Sequence, residues 1–151
     1  MAKEDHKGIW VFAEQEHGVL HPTVFELLAK AGELQAACGE TVTAVLLGSG
    51  VRPLVQELFD RGADEVILAE NDALAEYSAR PYQAALTQLA ERYRPSIVLF
   101  GATPLGRDLA PRVMVSLDTG LTADAIDLSF DEDGVFCQTT PAYGGKLLAH
   151  I

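Results

Sequence analysis

Apolar residues fall along this chain in short blocks, Ile9 to Ala13, Val42 to Leu47, Val66 to Ala69 and Ile97 to Phe100, each separated from the next by enough residues for a helix. Blocks this short and this uniformly apolar predict strands buried on both faces, as in a parallel sheet. Between the first two, Val24, Leu27, Leu28, Ala31 and Leu34 recur at helical spacing, with Pro22 near the first turn and Gly39 just beyond Cys38. Proline at the start and glycine past the end bound that helix. Arg52 to Arg61 repeats the pattern more briefly through Leu54, Val55, Leu58 and Phe59, and Gly62 supplies the residue that can turn left-handed after it. A third helix is predicted from about Pro81 to Tyr93, with Tyr82, Leu86, Leu89, Ala90 and Tyr93 on one face, and a fourth from about Gly106 to Leu117.

Strand and helix alternating in this way predict right-handed crossovers and a mainly parallel, doubly wound sheet covered on both sides. The period then changes. Ile126, Leu128 and Phe130 alternate with Asp127 and Ser129, Asp131-Glu132-Asp133-Gly134 reads as a turn, and Val135 to Thr139 returns, which predicts an antiparallel hairpin with one wet face. Leu147 to Ile151 reads as a further short strand. At 151 residues and 48% hydrophobic, the expectation is one compact α/β domain over residues 1–151.

Charge narrows the partners. A formal net charge of −11, with 22 acids against 11 Lys and Arg, argues against a nucleic-acid footprint. No apolar run approaches the roughly 20 residues that span a bilayer, and Met1 to Lys7 is polar, so the expectation is a protein without membrane insertion, in the bacterial cytoplasm. Cys38 and Cys137 have neither zinc-ligand spacing nor a disulfide framework, and read as small packed side chains.

In an open parallel sheet, ligands gather beyond the carboxyl ends of the strands, where helix N-termini present backbone N–H groups to anions. Four segments fall there: Glu14 to Leu20, Gly48 to Arg52, Glu70 to Ala75 and Gly101 to Asp108. Gly48-Ser49-Gly50 follows a strand and opens a helix, but Pro53 stands where a dinucleotide fingerprint has its third glycine, so a tight turn capped by Ser49 or Gly50 is favoured. In Gly101-Ala102-Thr103-Pro104-Leu105-Gly106-Arg107-Asp108, two glycines permit close backbone approach, Thr103 offers a hydroxyl and Arg107 can pair with a phosphate. Thr103 to Arg107 is the best ligand candidate, and the even alternative is that Asp108 pairs with Arg112 one turn on and complements the helix dipole. Gly120-Leu121-Thr122-Ala123-Asp124 shows no clean period and reads as a loop at the same sheet edge. His17 and His21 lack a third ligand and read as surface loop, while Trp10, Tyr82 and Tyr93 read as core or partner-facing packing. No nucleophile elbow, Walker loop or His-Glu-x-x-His is present, so neither a catalytic residue nor a metal site is assigned.

Pro95 to Arg112 taken together with Leu117 to Asp124, Val42 to Gly48, Gly62 to Val66 and Pro141 to Gly145, in this order and spacing, resembles the N-terminal domain of the electron transfer flavoprotein alpha subunit over the whole chain. The resemblance implies a Rossmann-like, adenine nucleotide alpha hydrolase-like fold and the role of an electron carrier rather than a catalyst. It implies a beta subunit as partner, and FAD held mainly by a C-terminal domain absent from residues 1–151, with little or none in this portion. An acyl-CoA dehydrogenase or NADH is then the expected donor. The family's Gly-Ala-Thr-x-x-Gly-Arg-Asp pattern carries cofactor contacts onto Thr103, Gly106, Arg107 and Asp108, and its Gly-Leu-Thr-Ala-Asp pattern onto Gly120, Leu121, Thr122 and Asp124. Pro104 and Lys146 depart from the usual pattern, and Pro104 removes one N–H donor from the turn. The competing class is a stand-alone adenine-nucleotide-binding module of the same architecture. Against it, the chain after the first strand reads Glu14-Gln15-Glu16-His17-Gly18, whose acids repel a triphosphate.

Overall fold

The computed structural model describes residues 6–125, 127–130, 136–139 and 146–150, with side chains described through residue 119. Its centre is a six-stranded sheet. Strand β1 (Ile9–Phe12) lies between β4 (Val42–Gly48) and β6 (Ile97–Phe100), both parallel to it, and β5 (Glu65–Glu70) extends the parallel set on the far side of β4. Beyond β6 the sheet continues antiparallel through β10 (Lys146–His150) to β7 (Gly120–Ala125). The order is therefore β5-β4-β1-β6-β10-β7. Two further antiparallel pairs stand outside it: a short hairpin of β2 (Gln15–Glu16) and β3 (Val19–Leu20), and the pair β8 (Asp127–Phe130) with β9 (Phe136–Thr139). The turn expected over Asp131 to Gly134 lies outside the described residues, as do Pro141 to Gly145.

Alternation along β1 explains why the fold has two cores. Ile9 and Val11 face helix α1 (Pro22–Cys38) and helix α2 (Val55–Asp60), joining Val24, Leu27, Leu28, Leu34 and Leu58. Trp10 and Phe12 face the other way, towards helix α3 (Ala79–Tyr93) and helix α4 (Pro104–Ser116), joining Tyr82, Leu86, Leu109 and Val113. Each such side chain withdrawn from water contributes about 1.5–3 kcal/mol before chain entropy is set against it. The central strands β1, β4 and β6 are buried at every position, as their apolar runs required. Strand β5 is not. Val66 to Ala69 are only half-buried, because β5 is the edge of the sheet and has one neighbour instead of two.

Helix ends follow the punctuation in the sequence. Pro22 occupies the first turn of α1, and Gly39 ends it at φ 73°, its N–H bonded to the Gln35 carbonyl. Two expectations change. Arg52 to Leu54 form a 3-10 turn before α2, with Val51 at the cap position and no side-chain cap, so neither Ser49 nor Gly50 caps a helix there. Tyr93, expected on the apolar face of α3, is 49% exposed at the helix's last residue.

At the amino ends of the strands, Glu40 ties the sheet together. Its carboxylate accepts from the Gly8 N–H at 2.9 Å and from the Ser96 hydroxyl, linking the entries to β1 and β6. Cys38 sits half-buried beside it, and burial pushes its thiol pKa up.

Candidate functional site

Chain crossovers leave β1 on opposite sides. From β1 the chain passes through α1 to β4 on one flank, whereas β6, on the other flank, is served by α3 and α4 on the opposite face. The crevice beyond the carboxyl ends of β1 and β6 is thus the topological switch point, where doubly wound sheets accept ligands. A cleft of about 970 Å³ opens there, walled by the segment after β1 (Glu14 to Pro22), the loop Ala75 to Tyr77, and the start of α4 from Thr103 to Asp108.

Thr103 is the centre of its architecture. As N-cap of α4, its Oγ1 accepts from the Gly106 N–H at 3.0 Å, and its hydroxyl donates to Glu14 Oε1 at 2.6 Å. Both residues are buried, Glu14 at 8% exposure and Thr103 at 7%. One hydroxyl therefore joins two strand ends 89 residues apart in sequence. Gly106 has no room for a side chain: a β-carbon there would meet the Gly101 carbonyl oxygen at 2.0 Å. The close backbone approach foreseen for Gly101 and Gly106 is made between the two glycines themselves.

The outer wall is a two-residue hairpin turn. His17 and Gly18 hold φ 51° and 80° between β2 and β3, the left-handed pair that such turns require. Gln15 anchors it from beneath, donating to the Leu47 carbonyl at 3.2 Å and accepting from the Gly18 N–H at 3.1 Å. His21 caps α1, its Nδ1 accepting from the Thr23 N–H at 3.2 Å. His17 and His21 are thus a turn residue and a cap, and among the described residues no group of three or more His, Cys, Asp or Glu is placed to hold a metal.

Across the cleft, Tyr77 donates its hydroxyl to Asp108 Oδ2 at 2.5 Å, and Arg112 reaches Asp108 Oδ1 at 3.2 Å from one turn further along α4. The hydrogen bond from Tyr77 and then that from Arg112 hold the Asp108 carboxyl below its usual range. Burial first, and the bond to Asp108 second, push the Tyr77 hydroxyl up. The Asp108–Arg112 pair matches one of the two readings taken from the sequence. Asp108 itself stands on the second turn of α4, past the dipole's reach. Nothing in the sequence marks Tyr77, an isolated tyrosine in a polar loop.

The remaining sequence candidates are not gathered at one edge. Arg107 is exposed on α4. Gly120 to Asp124, read as a loop, forms strand β7, because β10 supplies a hydrogen-bonding ladder that residue alternation does not reveal. In its register Gly120 is level with His150 and hence with Ile97, at the amino end of β6, while Thr122 is level with Leu148 and Leu99. Only Asp124 approaches the carboxyl edge, and two strands separate it from β1.

Electrostatically the cleft is acidic. Glu14, Glu16, Glu76 and Asp108 line it, with His17 and His21 but no Lys or Arg among the described lining residues. In the first turn of α4 the Gly106 N–H is already taken by Thr103, and Pro104 brings no N–H. The pyrophosphate of FAD or of a nucleotide does not fit this arrangement, which offers it carboxylates where it needs donors and cations.

Fold and cleft together define a doubly wound α/β domain whose switch point is lined by acids. The model of the family described as "Electron transfer flavoprotein domain" matches residues 9–151, and the chain belongs to that family. It is 46% identical over 147 residues to the electron transfer flavoprotein subunit alpha of Thermoanaerobacterium thermosaccharolyticum, covering 97% of this chain and 44% of that protein. The corresponding protein of Clostridium acetobutylicum is 43% identical over 152 residues, covering 100% and 45%. The lactate dehydrogenase (NAD(+),ferredoxin) subunit LctC of Acetobacterium woodii is 39% identical over 149 residues, covering 99% and 36%. The chain spans less than half the length of these relatives. Among the described residues, no helix is long and apolar enough to cross a membrane.

Proposed function

We propose that this chain is the N-terminal scaffold domain of an electron transfer flavoprotein alpha subunit, pairing with a beta subunit so that FAD carries electrons between a dehydrogenase and an acceptor. The observation that carries this reading is the family match over residues 9–151, with alpha-subunit relatives aligned along nearly all of this chain and less than half of their own. FAD is then held mainly by the portion of the subunit that this chain does not include. When bound, the flavin supplies the redox chemistry, and the protein supplies position and electrostatics.

In this reading the Thr103 cap and Gly106 fix the rim of the platform, and Arg107 and Asp108 present it to the flavin-bearing part. Gly120, Leu121, Thr122 and Asp124 lie on edge strand β7, which faces the beta subunit and the flavin. The acid-lined cleft supports the assignment, because it makes residues 1–151 a poor phosphate binder by themselves. An acyl-CoA dehydrogenase or NADH is the donor class, the acting site is the bacterial cytoplasm, and a relative named for lactate dehydrogenase widens the donors to be tried. Co-expression with the neighbouring beta subunit tests the proposal. Co-elution is expected, with flavin absorption bands appearing once the alpha subunit is extended past Ile151. Failure to co-elute, or stoichiometric FAD on the 151-residue chain, contradicts it.

A further inference from the structure

We propose that the free edge of strand β5 is a docking site for an extended segment of a partner protein, which joins the sheet as an added strand, apolar in its middle and cationic at its ends. Among the described residues, nothing pairs with β5 on its outer side. Asn71 donates its N–H to the Gly48 carbonyl, and in the register of β4 with β5 this places the backbone groups of Glu65, Ile67 and Ala69 on the β4 side. The N–H and C=O groups of Val66 and Leu68 therefore point outward, a row that a second extended backbone satisfies as a set. Natural sheet edges are usually guarded by proline, lysine or a bulge. Glu65-Val66-Ile67-Leu68-Ala69-Glu70 contains neither proline nor lysine, and it pairs with β4 from Glu65 to Glu70 without a shift. At the opposite edge, β7 breaks register against β10 between Lys146 and Leu148. Of the sheet's two edges, β5 is the flat one.

Side chains beside this edge are apolar on both faces. Val66 and Leu68 lean on the core under α1 and α2, Ile67 and Ala69 on the core under α3 and α4, and all four are only half-buried. A groove of about 1070 Å³ is walled by Asp64 to Ile67 together with Phe59, 42% exposed on α2, and Tyr93, 49% exposed at the end of α3. Alternate side chains of an added strand would cover both faces at once. Charge then decides the occupant. Asp64 and Glu65 stand at one end of the strand and Glu70 at the other, where Arg52 reaches Glu70 only at 3.8 Å from an exposed position. A second copy of the chain, paired antiparallel with Val66 opposite Leu68, sets Asp64 of each chain against Glu70 of the other. Acid meets acid twice, between chains of net charge −11. A foreign strand with Lys or Arg at each end meets the same acids favourably, and it needs neither flavin nor nucleotide to bind.

Titration of the 151-residue chain with the capped peptide Lys-Val-Thr-Val-Thr-Lys at low salt, followed by amide hydrogen exchange, tests the proposal. Saturable binding is expected, with exchange at Val66 and Leu68 slowed at least about fivefold and exchange at Ile67 and Ala69, already bonded to β4, little changed. The same peptide N-methylated along its backbone keeps the side chains and loses the donors, and is expected to bind at least about tenfold more weakly. Glu70→Lys, at an exposed strand end where folding is not at stake, is expected to weaken the lysine peptide about threefold and to strengthen a peptide with glutamate at both ends by a similar factor. No binding, unchanged exchange at Val66 and Leu68, or equal binding of the methylated peptide overturns strand addition. Indifference to charge, both on the peptide and at position 70, overturns the cationic partner. A peptide-free chain that sediments as a dimer with those same two amides protected makes a second copy the occupant, and overturns the choice of a foreign strand.

Discussion

Two glycine-rich turns follow parallel strands in this domain, and they come to different ends. Gly48-Ser49-Gly50 leads from β4 into a 3-10 turn before α2 with no side-chain cap, and Ser49 makes only an exposed side-chain bond to Asp72 at 3.3 Å. Gly101 to Gly106 leads from β6 into a helix of 13 residues, capped by a buried threonine that is bonded to a buried glutamate on the neighbouring strand end. Glycines alone do not make a site. What separates the two turns is the polar side chain behind the second and its position at the switch point.

Substitution of the glycines sharpens this contrast most. Alanine in a helix interior is ordinarily worth about 1 kcal/mol over glycine, yet Gly106→Ala drives a β-carbon against the Gly101 carbonyl and is expected to cost about 3 kcal/mol or more in urea unfolding. Gly50→Ala meets open space and only the strain of φ 67°, which costs about 1 kcal/mol. Equal losses at both positions would remove the distinction.

The caps give the next largest difference. Thr103→Val removes the cap of α4 and leaves Glu14 buried without its donor, with an expected loss of about 2–3 kcal/mol that Thr103→Ser largely restores. Ser49→Ala, on the exposed turn, is expected to change stability by less than about 0.5 kcal/mol.

The smallest effect concerns pH. The native Tyr77 pKa is raised, so its contribution to stability is present below the unfolded value near 10 and is lost as pH climbs above it. Asp108 has the opposite sign: its lowered pKa gives a contribution present above the ordinary carboxylate range and lost as pH falls through the native value. Tyr77→Phe is therefore expected to flatten both limbs of a stability–pH curve slightly. Unchanged limbs would show that the Tyr77–Asp108 bond is not maintained in solution.

Much of this architecture is legible in the residues, because proline and glycine punctuate α1 and the buried strands are unbroken apolar runs. Strand β5 looked the same in sequence as its neighbours, and only its place at the sheet edge sets it apart. Strand β7 was hidden because its partner β10 lies about 25 residues further along, and pairing across that distance leaves no local period. At the site, the acids after β1 already argued against phosphate. The bond from Thr103 to Glu14 joins residues 89 apart, a contact that no spacing rule anticipates.

The central claim, that this domain is a platform whose switch point does not hold phosphate, meets its most direct test in a fluorescence titration of the 151-residue chain with FAD. No saturable binding is expected up to roughly 100 μM, weaker than any resident cofactor site. A one-to-one complex with a Kd near 1 μM or tighter would contradict the account.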